Sequence, residues 1–114
     1  MKQRYMFDYA YDKAFVIFDI DLVKFTNDHA NATLDFFLWD YDKEGDPIDE
    51  VLKKYAIEVI QLATAKDLSL QGVIGEFNKR EGFCPLDGSV GITLKDIRMF
   101  EFNDEDLRLI KSWI

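Results

Sequence analysis

The sequence predicts an α+β fold. A small antiparallel sheet of about three strands carries helices on one face, in the order β-β-α-α-α-β, followed by a tail that reads as either a short helix or a fourth strand. Three observations predict it. Two runs rich in aromatic and β-branched residues, 4–10 and 13–21, stand next to each other near the start. Apolar residues then recur at helical spacing in three segments between 22 and 78, and one alternating run returns at 92–100. Strands and helices alternate too seldom for a doubly wound sheet. Helices covering one face of a small sheet are the simplest layered solution.

The two opening runs are separated by Tyr11-Asp12 and read as a hairpin, although the turn lacks the favoured Asn-Gly or Asp-Gly pair. In the second run Val16, Phe18 and Ile20 share one side and are assigned to the core, while Phe15, Ile17, Asp19 and Asp21 share the other. Asp21 or Thr26 can cap the next element, a helix ending near Trp39, with Leu22, Phe25, His29, Ala32 or Thr33, Phe36 and Phe37 at helical spacing. The second helix has the strongest signature. Asp46 stands at the N-cap, Pro47 at N1 and Asp49 at N3, ahead of a broad apolar stripe from Val51 to Ala63, with an end near Lys66. Ser69 caps a short third helix through Asn78, with Val73, Ile74 and Phe77 on its buried side. Residues 79–91 read as loop, with Asp87-Gly88 as a turn pair. Residues 92–100 form the third strand, with a bulge before Ile97. In the tail, Asp104 could cap a helix that places Leu107, Ile110 and Trp113 or Ile114 on one side, whereas alternation at Leu107 and Leu109 fits a strand.

At 114 residues, 48% of them apolar, the chain has the size and the core material of one domain spanning 1–114. No run approaches the length a bilayer requires, and the basic start Met1-Lys2-Gln3-Arg4 leads into no signal-peptide core. The expectation is a cytosolic protein. Its single cysteine, Cys84, allows no internal disulfide.

The net charge is -8, from 22 acids and 14 bases. Residues 35–50 hold seven acids and one base, so three quarters of the excess comes from sixteen residues. Such a field repels nucleic-acid and membrane phosphates and attracts a basic protein or a cation.

The chain offers little for catalysis. One histidine, His29, and one cysteine, Cys84, exclude zinc sites made of several such ligands. A Cys-His pair would require the fold to bring the two together. No Gly-rich phosphate motif occurs, and no cofactor is expected. Asp40, Asp42, Glu44, Gly45 and Asp46 resemble the start of a calcium loop, but the twelfth position from Asp40 is Val51, with Glu50 one residue short. Asp40, Asp42, Glu44, Asp46 and Glu50 are therefore weak metal candidates, and a solvated acidic loop is the plainer reading.

The segments Gly72-Val73-Ile74-Gly75-Glu76-Phe77, Glu81-Gly82-Phe83-Cys84-Pro85-Leu86-Asp87-Gly88-Ser89 and Gly91-Ile92-Thr93-Leu94-Lys95-Asp96 resemble a small family of uncharacterised bacterial and phage- or plasmid-carried proteins. In that family Trp often stands where this chain has Phe83. The resemblance covers most of residues 16–100 and implies an accessory protein of bacteria or their mobile elements, without an assigned reaction.

The expected function is a non-enzymatic protein-interaction domain with a basic partner, using Trp39, Asp40, Tyr41, Asp42, Glu44 and Asp46. One alternative is mimicry of DNA phosphates to occupy a basic nucleic-acid-binding protein. Another is weak calcium binding at residues 40–50.

Overall fold

The structure, a computed structural model, describes residues 1–10, 13–38, 40–98, 105 and 107–113. Three strands, β1 (Lys2–Tyr9), β2 (Ala14–Asp21) and β3 (Ile92–Arg98), form an antiparallel sheet in the order β1-β2-β3. Three helices, α1 (Asn27–Phe37), α2 (Pro47–Lys66) and α3 (Leu70–Lys79), fill the interval between β2 and β3. The α+β order β-β-α-α-α-β is the predicted one. Tyr11 and Asp12, the predicted turn, lie outside the described residues.

β2 is the central strand, and its pattern decides the faces. Ala14, Val16, Phe18 and Ile20 are fully buried, while Phe15, Ile17, Asp19 and Asp21 are only half-buried. The helices cover the first set, as predicted from the alternation. β1 repeats the pattern more weakly through Tyr5 and Phe7, and Phe7 meets Phe18 edge-on at 6.3 Å. In β3 the register shifts opposite Ile17 and Phe18: Leu94 pairs with Phe18, but Asp96 pairs with Ile17. This bulge absorbs Lys95 and returns Ile97 to the core side, where it packs on the buried cluster.

Local chemistry sets the helix ends. Asp21 and Thr26 both act, at different places. The Asp21 carboxylate accepts from the Val23 N–H, closing a turn over 22–24, and Thr26 caps α1 with His29 reaching back to complete a capping box. α1 therefore starts after Leu22 and Phe25, and Phe25 is buried from the preceding turn. Asp46 caps α2 as predicted, accepting from the N–H groups of Ile48 and Asp49, with Pro47 at N1. Ser69 caps α3 through the Gly72 N–H.

α2 supplies much of the core through Val51, Leu52, Tyr55, Ala56, Val59, Leu62 and Ala63. Burying one such aliphatic or aromatic side chain contributes roughly 1.5–3 kcal/mol. Phe83 sits among Phe37, Tyr55 and Phe77 at centroid distances of 4.7, 5.5 and 5.2 Å, which joins the 80–91 loop to all three helices. The loop is then tied to β3, where Leu94 N–H donates to Leu86 O and Gly88 N–H to Ile92 O.

Residues 107–113 adopt neither of the two predicted forms and run exposed to solvent. The proposed cap Asp104 and the alternation through Phe100 and Phe102 lie outside the described residues. Among the described residues, no helix is long and apolar enough to cross a membrane.

Candidate functional site: the acidic loop between α1 and α2

The loop begins after Leu38, whose φ of 54° places the end of α1 in the left-handed region. It ends at the Asp46 cap. Its acids divide into those that hold the loop and those that face outward.

Glu50 is the principal holder. It lies in the first turn of α2, 6% exposed, and accepts a 2.8 Å hydrogen bond from the Asp42 N–H. Lys53, one turn on, meets its other oxygen at 2.7 Å. The Lys53 ammonium first, and the Asp42 N–H second, hold the Glu50 carboxyl below its ordinary pKa. Asp42 closes the next turn, accepting from Glu44 N–H at 3.0 Å through its side chain and from Gly45 N–H at 3.1 Å through its carbonyl. Asp49 is the opposite case from Glu50. Burial first, and then the charge of Asp46, push its pKa up. Tyr5 on β1 is pushed the same way, by burial and then by Asp49 and Asp46, so the loop's field reaches the edge of the sheet.

Asp40, Asp42, Glu44 and Asp46 are exposed, and among the described residues the carboxylates of Asp40 and Glu44 have no hydrogen-bond or ion-pair partner. Tyr41 is half-buried against the core, with the Lys43 ammonium 6.0 Å above its ring. Trp39 lies outside the described residues. The structure thus brings Asp42, Asp46 and Glu50 into one bonded loop with Asp40 and Glu44 on its outer side. Among the described residues, no three His, Cys, Asp or Glu side chains converge as a metal site. Glu50, named in the sequence as a weak metal candidate, is occupied by Lys53 and the Asp42 amide. Its bracing role was missed; the available signal was an acid set between the buried positions Ile48 and Val51 of a helix's first turn.

Outside the loop, acids and bases are interleaved. On the sheet face opposite the helices, Arg4 binds Asp19 with two hydrogen bonds of 2.7 and 3.0 Å, which hold the Asp19 carboxyl below its ordinary range. Lys66 meets Glu76 at 3.4 Å, and Arg80 pairs with Glu58, linking α2 to α3.

A second concave feature joins the two residues that the sequence left apart. His29 and Cys84 both line an open, mainly apolar groove of about 540 Å³ between α1 and the 82–90 loop. His29 is engaged in capping, its Nδ1 accepting from the Thr26 N–H at 3.3 Å and lying 3.0 Å from Thr26 Oγ1. The Cys84 N–H donates to Tyr55 Oη at 3.0 Å. Burial drives the Tyr55 hydroxyl pKa far up, so it stays protonated.

Residues 15–109 match the family model described as "Protein of unknown function (DUF2528)". The chain is 30% identical, over 118 aligned residues covering 96% of both sequences, to protein ea10 of Escherichia phage lambda. It is similar to the same extent to the lambda prophage-derived protein ea10 of Escherichia coli O6:H1 strain CFT073. No solved structure matches the chain. A match across nearly all of the sheet, the helices and the loops between them makes this chain a member of the DUF2528 family, whose relatives here come from a phage and a prophage.

Proposed function

We propose that this chain is a non-enzymatic interaction domain that holds a basic protein partner against the acidic 35–50 segment. One observation carries the reading: the loop is braced by the buried Glu50 and by the Asp46 cap while Asp40, Asp42 and Glu44 remain exposed. A braced loop loses little conformational entropy on binding, which is how preorganisation raises affinity. Its concentrated negative field speeds encounter with a positive surface. Tyr41, half-buried with a polar edge, is suited to the rim of such a contact, and Trp39 is its neighbour in sequence. The interleaved charge elsewhere favours a local contact over mimicry of a whole DNA surface. The phage and prophage relatives fit an accessory protein of mobile elements, acting in the cytosol of a bacterial host.

The test is affinity capture from bacterial extract with the intact chain and with an Asp40→Asn, Glu44→Gln double variant, which leaves Glu50 and Asp46 in place. The expected result is a basic protein retained by the wild type, released by moderate salt and lost by the variant at an unchanged melting temperature. Equal capture by both proteins refutes the reading.

A further inference from the structure

β1 is an edge strand. Along Lys2–Tyr9 it pairs with β2 on one side, and among the described residues no strand lies on its other side. An exposed edge of eight residues is a template for another strand, and proteins ordinarily blunt or cover it. Beneath the Tyr9 end of this edge lies an apolar groove of about 380 Å³, lined by Tyr9 and by Ile57, Ile60, Gln61, Thr64 and Ala65 of α2. Ile57 is 43% exposed there. A further strand beside β1 would lay its helix-facing side chains into this groove, because Tyr5 and Phe7 of β1 face the same layer.

The chain carries a segment of matching chemistry. In residues 107–113 Leu107, Leu109 and Ile110 are 74–79% exposed and Trp113 is fully so. Leu107, Leu109 and Trp113 fall on one side of an extended strand. The segment has two bases, Arg108 and Lys111, and no acid, whereas the whole chain is at -8. The chain as a whole is elongated: the radius of gyration is 16.3 Å and the longest extent 58 Å, where a compact chain of this length would have a radius of about 13 Å.

We propose that the 107–113 segment is an exchange arm: in a second copy of this chain it adds as a fourth strand along β1 and sets Leu107, Leu109 and Trp113 into the α2 groove. The basic arm offsets the repulsion between two acidic copies. Reciprocal exchange gives a closed twofold pair. Burying Trp113 alone removes on the order of 200 Å², a sizeable share of the roughly 1,200–2,000 Å² that a stable dimer buries.

Sedimentation equilibrium on the full chain tests it. The wild type is expected to dimerise. Leu109→Asp, Trp113→Asp, deletion of 107–114, and Ile57→Asp in the exposed groove should each weaken the dimer roughly 30-fold or more with unchanged circular dichroism. A mixture of the Trp113→Asp and Ile57→Asp proteins should form mixed pairs, because one arm and one groove remain intact. A wild type that stays monomeric at all concentrations overturns the proposal, including one whose Trp113 is shielded by its own chain. A dimer indifferent to both the arm and the groove variants also overturns it.

Discussion

Glu50 shows how one buried carboxylate can organise a charged loop. Glu50→Ala leaves the Asp42 amide without its acceptor and Lys53 without its partner. The expected cost is about 1.5–3 kcal/mol in urea denaturation, with faster amide exchange at Asp42. The pH dependence has a defined sign. Because the folded chain holds the Glu50 carboxyl below its ordinary pKa, the unfolded chain takes up the proton first. The stabilisation is complete above the ordinary glutamate range and is lost as pH falls through the lower folded value. The stability gap between wild type and Glu50→Gln should therefore be full at neutrality and narrow as the pH falls below the ordinary glutamate range, and a gap that stays constant contradicts the assignment. Asp49, whose pKa is raised, works in the opposite sense and favours the folded state more in acid. On the other side of α2, Tyr55→Phe removes the acceptor of the Cys84 N–H. It should cost about 1–3 kcal/mol and speed exchange of that amide. The caps Thr26, Asp46 and Ser69 were legible in the sequence because each acts on backbone within three residues. Glu50 was not, because its partner is an amide eight positions away whose direction depends on the folded loop.

Two glycines separate permissive from obligatory backbone. Gly75 lies in α3 with open space where a Cβ would go. Gly75→Ala should stabilise the protein by up to ~1 kcal/mol through helix propensity. Gly91 has φ of 100°, and a Cβ there would stand 2.9 Å from the backbone nitrogen of Phe25. Gly91→Ala should cost at least ~1–2 kcal/mol and loosen the contact in which Asp21 N–H donates to Gly91 O. Thermal melts of the two variants against wild type check both signs. At this scale the sequence was read well wherever period and cap agreed, as in α2, and at the β3 bulge, where alternation failed before Ile97. The tail was not legible: its apolar residues fit a helical side and a strand side equally, and nothing in their pattern chooses between them.

Across the whole molecule, charge is unevenly placed. Four of the seven acids of 35–50, Asp40, Asp42, Glu44 and Asp46, stand on the loop between α1 and α2, while elsewhere Arg4 with Asp19, Lys66 with Glu76 and Arg80 with Glu58 offset one another. The charge asymmetry was visible in the sequence as a count. Which acids remain outward, and that His29 and Cys84 line one groove, depended on tertiary packing that composition does not encode. The most direct measurement is an NMR titration of the isotope-labelled chain with the captured basic partner. Amide shift changes centred on residues 40–49, and fading as salt is raised, are predicted. Changes centred on the β1 edge, the His29–Cys84 groove or the open sheet face, with 40–49 unmoved, would contradict the account.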